Sequence, residues 1–249
     1  MDEFAGGNSE MSLSCELAAT CRLAYQFDWN RSVLNHVTGR SPLRPNIFLM
    51  NPVGILWSEI AASDFVTCDI DGSFTSTGRN SPGPAGLTFH SAIYRANPEV
   101  NYSFHLHPRD CVTLASIQCD ISFITQDSLR LFDQIAYHDF EGLPDEPEEG
   151  ERIAAMVKGK LCVVMRNHGI LTVGRTVGEA FYAMQIAIET CAIQLKALAT
   201  GLPLREISRE TCRLSADKFK ARSGGQPIGR NAWEAHYRML ERSDPAFKK

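Results

Sequence analysis

The stretch LCVVMRNHGILTVG, residues 161–174, constrains the fold of this chain more than any other. Leu161, Cys162, Val163, Val164 and Met165 form an unbroken apolar run, short and rich in valine, which suits a strand buried on both faces. A second apolar run, ILTVG, follows after only Arg166, Asn167, His168 and Gly169, so the two read as strands joined by a tight turn. Gly169 suits a sharp bend and lets the backbone come close to a ligand. Helical patterns interleave with strand patterns along the rest of the chain. The fold class is therefore α/β with one core domain.

Apolar residues fall at helical spacing over residues 14–25. NIFLMNP (46–52) and GILW (54–57) are apolar and bounded by Pro and Gly, as strands are. VTCDIDGSF (66–74) alternates and breaks at Asp71-Gly72, a favoured turn dipeptide. Residues 75–86 hold too much Gly, Pro and Ser for regular structure and predict a long loop, and 88–96 a helix. VNYSFHLH (100–107) alternates again, and Pro108 ends that strand and starts a helix. Thr176 opens a long helix through a T-x-x-E capping box closing on Glu179. The acidic run 145–151 reads as a solvated loop and helix start. Three regions result: a disordered leader over 1–13, the core domain over 14–204, and a polar, Arg/Lys-rich extension over 205–249. The extension carries a final amphipathic helix around NAWEAHYRML with a face free to pack on a neighbouring subunit.

A net charge of −4 argues against a general nucleic-acid binder, which would show a basic face. No apolar run approaches the roughly 20 residues that cross a bilayer, and no signal-peptide core opens the chain, so the expected address is the cytoplasm. The eight cysteines contain no C-x-x-C pair and read as buried free thiols.

The alternating strand carries FHLHPRD. With seven histidines in 249 residues, chance supplies about 0.2 H-x-H pairs. Residues i and i+2 share a strand face, about 7 Å apart at the backbone, so His105 and His107 can reach one metal ion. His168, on the turn between the two apolar runs, is a third candidate. Two readings stay open on spacing alone: a three-histidine metal site, or two hydrogen-bonded structural histidines and a turn residue.

HLH followed some sixty residues later by RNHG resembles the metal site of the class II aldolase/adducin family. NHVTGR (35–40), FLMNPVGILWSEIAASDFV (48–66), AGLTFHSAIYRANPEV (85–100), AYHDFEG (136–142) and TVGEAF (176–181) resemble it in matching order, across roughly residues 14–240. That family includes sugar-phosphate aldolases, an epimerase, a dehydratase, decarboxylases and the adducin head domain. The resemblance implies a three-layer α/β/α fold around a mixed, largely antiparallel sheet. It also implies homotetramers with sites between subunits. One divalent ion per subunit would be held by His105, His107 and His168, stabilising the carbanion formed when a C–C bond breaks.

The chain departs from the sugar-phosphate aldolases at PGPAGLTFH, where Gly86 stands in place of their acid/base glutamate and the phosphate-holding serines are missing, despite Ser76 and Ser81 nearby. Decarboxylation suits such a site, because departing CO₂ leaves a carbanion that the metal stabilises with no base needed to begin. A three-histidine site equally suits Fe(II) with room for O₂, so an oxygenase is the second reading. A non-catalytic assembly module like the adducin head is the third. The metal is thus zinc, manganese or iron, and the partner a small carboxylate or hydroxy-carbonyl substrate. His138, Glu141 and, in a neighbour's site, Tyr237 are the candidate proton donors. Asn35, His36, His90 and Arg109 are the candidate substrate contacts, with Arg109 suited to a carboxylate.

Overall fold

The computed structural model describes residues 9–75, 80–142 and 147–249. Helix α1 (Glu10–Gln26) begins where the Ser9 side chain accepts a hydrogen bond from Ser12 N. The last residues of the expected leader are thus helical, because Ser9 supplies a cap and Leu13 a buried contact; residues 1–8 lie outside the described residues. Strands β1 (His36–Arg40), β2 (Ile47–Met50), β3 (Val66–Asp69) and β4 (Phe74–Thr75) follow as an antiparallel meander. GILW is not a strand: Trp57 is fully buried while Leu56 stays exposed, so its apolar density reflects a loop pinned by one indole.

Helix α2 (Pro84–Ala96) starts four residues before the expected point, with Pro84 in its first turn. It absorbs the end of the predicted loop, of which residues 76–79 lie outside the described residues. Next come β5 (Tyr102–Leu106), α3 (Arg109–Ala115), β6 (Ile135–His138) and α4 (Pro147–Val157). The apolar hairpin is present as β7 (Cys162–Met165) and β8 (Gly169–Gly174), buried throughout. Helix α5 (Val177–Leu198) is capped by Thr176, whose hydroxyl accepts from Glu179 N, while the Glu179 carboxylate accepts from Arg175 N. The extension holds two helices, α6 (Arg209–Arg222) and α7 (Arg230–Ser243).

The eight strands join one sheet in the order β4-β3-β2-β1-β5-β8-β7-β6, antiparallel except for the β6–β7 pair. Alternation along the central strands divides the core between two faces. Phe104, Leu106, Val164 and Ile170 meet α1, α3 and α5 on one side. Val163, Met165, Leu171 and Val173 meet α2 and α4 on the other. The result is a three-layer α/β/α sandwich. Helix α7 packs on α5 of its own subunit, with Trp233, Leu240 and the terminal Phe247 inside the first of these cores. All eight cysteines are unbridged, six of them buried. No helix among the described residues is long and apolar enough to cross a membrane.

Candidate metal centre

The sheet register builds the site. Strands β1 and β5 pair His36 with His105, and β5 pairs His105 with Leu171 of β8. Phe104 and Leu106 face α5, so His105 faces the α2 layer, where its ring meets Phe89. His107 lies one residue beyond β5 and His168 at the tip of the β7–β8 hairpin. The three rings converge: His105 Nε2 is 2.8 Å from His107 Nε2 and 3.3 Å from His168 Nε2.

Nitrogens bound at about 2.1 Å around a tetrahedral ion stand roughly 3.4 Å apart, so this set fits a divalent metal with little movement. His105 Nδ1 donates to the Ile170 carbonyl at 3.1 Å, which leaves the Nε2 lone pair facing the other two rings. Burial holds the rings neutral, the state a metal requires. His107 is brought down to about 4, by burial first and then by His168 and Arg31. His105 lies well below its ordinary value and His168 below it, burial being the main cause in both.

Glycine 169 serves this convergence differently from the expectation. The left-handed residue of the turn is Asn167, at φ +58°. A Cβ on residue 169 would lie 2.6 Å from His107 Cδ2 and 2.7 Å from the Leu106 carbonyl oxygen. The glycine is there so that the His107 ring and the neighbouring strand can close on the hairpin.

Behind the three imidazoles lies a buried polar chain. His36 Nδ1 is 3.1 Å from His90 Nε2, and His90 Nδ1 is 2.9 Å from Ser103 Oγ. His90 is fully buried and supports His36; it is not placed to touch a substrate. Asn35 is also buried, and its Oδ1 accepts from Arg31 N, which makes it a turn residue. Arg109 stands exposed at the start of α3, two residues past His107, and forms no ion pair among the described residues.

His138, at the end of β6, is buried with Nε2 3.1 Å from Glu149 Oε1. Glu141 faces outward and pairs with Arg152, whose guanidinium holds the carboxyl below its ordinary range. The ligand atoms of His138, Glu141 and Glu149 lie within 4.8 Å of one another. Tyr237 packs on Trp233 and Phe247 in the helical layer across the sheet, away from the three histidines of its own subunit.

Sequence reading missed Glu149, whose negative charge works to raise His168. It was assigned to a solvated acidic run, yet it shares a face with the buried Ile153 and Val157 at i+4 and i+8, the signal that could have found it. Phe140, whose ring centroid stands 6.5 Å from that of His168, carries no comparable signal.

Residues 15–195 match the family described as Class II Aldolase and Adducin N-terminal domain. The chain belongs to this family. Among curated relatives, this family member is 34% identical over 239 residues to a putative aldolase class 2 protein of Caulobacter vibrioides, covering 96% of this chain and 93% of that one. It is also 34% identical over 256 residues to alpha-adducin of Mus musculus, covering 96% of this chain but only 34% of the mouse protein. A solved aldolase II superfamily protein from Pseudomonas syringae superposes with a TM-score of 0.90 at 32% identity, covering 97% of this chain and 96% of its own.

Proposed function

We propose that this class II aldolase family member is a divalent-metal-dependent lyase that cleaves a C–C bond of a small carboxylate or hydroxy-carbonyl substrate, by decarboxylation where a carboxylate stands near a carbonyl that can take up the electron pair. It works as a cytoplasmic homotetramer in this reading. The observation that carries it is the convergence of three neutral imidazoles, from His105, His107 and His168, at ligand spacing. A divalent ion held there supplies Lewis-acid stabilisation of the negative charge that develops on a substrate oxygen. The zinc, manganese and iron alternatives share this donor set.

The chain's own residues do the rest. The Ile170 carbonyl keeps the proton of His105 on Nδ1. Phe89, packed against His36 and His105, gives the site an apolar wall that excludes water and strengthens electrostatic contacts. His138 and Glu149 form a buried hydrogen-bonded pair near His168. Arg109, at the rim, is the residue for a substrate carboxylate. The position of Gly86 in the first turn of α2 supports decarboxylation over aldol cleavage, since no carboxylate stands there to move a proton.

Metal analysis of the purified protein tests the reading. One zinc or manganese per subunit, with CO₂ released from a panel of keto and hydroxy acids, is the expected result. His105→Ala should abolish both the metal and the release. Iron accompanied by oxygen uptake would establish the oxygenase instead. A protein that binds no divalent metal, with His105→Ala behaving as wild type, would leave only the assembly module that the adducin relatives suggest.

A further inference from the structure

Resting on the metal-site reading above, we infer that His36 is the hydrogen-bond acceptor of the site, and that Gly86 is the residue that gives its ring room. A Cβ built on Gly86 would lie 2.9 Å from both His36 Nε2 and Cδ2, and 2.7 Å from the Met50 methyl. The His36 imidazole therefore occupies the space into which any side chain at position 86 would project. The polar group that fills this space is delivered from β1, the strand paired with β5.

The polar chain behind His36 sets its tautomer. Thr38 Oγ1 donates its one proton to the Ser103 carbonyl at 2.9 Å, so it can only accept from the other groups around it. Tyr94 OH therefore donates to Thr38 Oγ1, also at 2.9 Å. His90 Nδ1 stands 3.3 Å from the same oxygen and 2.9 Å from Ser103 Oγ. A proton on His90 Nδ1 serves both hydroxyl oxygens at once, whereas a lone pair there would be served by Ser103 Oγ alone, and on that ground we assign the proton to Nδ1. On that assignment His36 Nδ1, 3.1 Å from His90 Nε2, is the donor of that pair. The remaining nitrogen, His36 Nε2, has a lone pair and no hydrogen-bond partner among the described residues. Its ring lies against His105, centroids 5.1 Å apart, so this acceptor borders the metal centre.

An acceptor beside a metal selects ligands that present a hydroxyl. The substrate class is thereby narrowed to hydroxylated keto acids, with a carbonyl oxygen to take up the electron pair left by departing CO₂ and an O–H directed at His36 Nε2. An acid lacking that donor gains nothing from the ring.

The test uses the full chain loaded with Co(II), whose visible spectrum reports ion and ligand separately. The probes are glycolate and methoxyacetate, which share a carboxylate and an α-oxygen but differ in the O–H. Wild type should prefer glycolate over the ether by about tenfold more than His36→Phe does, a difference of differences that cancels the coordination chemistry common to both proteins. A ring with only a structural role would shift both probes equally and overturn the inference. Gly86→Ala, which pushes the ring aside, should reduce the preference in the same direction with the cobalt stoichiometry unchanged. Nitrogen-resolved NMR of the imidazoles provides a check that needs no metal: His36 Nε2 should be unprotonated, and a protonated Nε2 would refute the assignment. Loss of cobalt binding in wild type would instead point to failure of the metal reading.

Discussion

At the scale of single residues, Glu149 shows how a carboxyl group is kept inside this protein. Its carboxyl group is buried and, among the described residues, is hydrogen-bonded to His138 Nε2. Truncating one member of a buried hydrogen-bonded pair leaves the other without a partner, at a cost of about 1–3 kcal/mol. Glu149→Ala should therefore lower the unfolding free energy from urea denaturation by that amount, and Glu149→Gln, which can still accept from an imidazole N–H, should recover much of it. Equal losses in both variants would mean that packing, not the hydrogen bond, is what counts. The convergence of His105, His107 and His168 was legible in the sequence because strand alternation and a tight turn are local patterns. Neither Glu149 nor the pairing of His36 with Gly86 was legible in full, because each depends on which helix lies over which strand. His90 and Asn35 were read as substrate contacts from their places in motifs, and burial turns both into supports.

At the scale of elements, the β7–β8 hairpin carries the site. Its tip presents His168, and its first β8 residue, Gly169, lies beneath the His107 ring. The contact that a methyl group would meet at 2.7 Å is a backbone oxygen, which cannot rotate away. Gly169→Ala should cost about 1–3 kcal/mol in stability through overpacking. It should also weaken metal binding about tenfold or more by spreading the three nitrogens, as measured by competition with a chromophoric chelator. Unchanged metal affinity in a folded variant would contradict this account of the glycine. The hairpin itself could be read from apolar runs, whereas GILW misled, because one buried indole in a loop imitates the composition of a strand. The early start of α2 was hidden by glycine and proline, residues that signal a loop until Pro84 takes the first-turn position where its missing N–H costs nothing.

At the scale of the whole molecule, the two helical layers have different tasks. The α2/α4 layer stands over the ligand face, while α1, α5 and α7 bury the larger core. Glu16 of α1 lies in a cleft of about 1090 Å³ bordered by α7, and accepts from Tyr102 OH. Burial raises its carboxyl from 4.5 to about 7, with the Tyr102 hydrogen bond opposing the shift. The folded protein then binds more protons than the unfolded chain between those two values, so stability falls as pH rises from about 4.5 to about 7. The loss from this group is on the order of 2 kcal/mol once partial screening is allowed for. Glu16→Gln should be more stable than wild type at pH 8 and nearly equal to it at pH 4.5, by denaturation at both values. A constant difference across that range would contradict the raised carboxyl.

Two of the three ligands stand at the end of β5 and the third on the hairpin packed beside it, so an ion bound there would tie together two strands that are far apart in the chain. Such a tie acts as a removable cross-link. It lowers the rate at which the end of β5 and the hairpin tip open together, and slows amide exchange there far more than at the distant β3–β4 edge. The same three side chains would then serve as chemistry when a substrate is present and as a clasp when it is not. Loss of the ion would loosen this corner of the sheet well before the cores on either face begin to part.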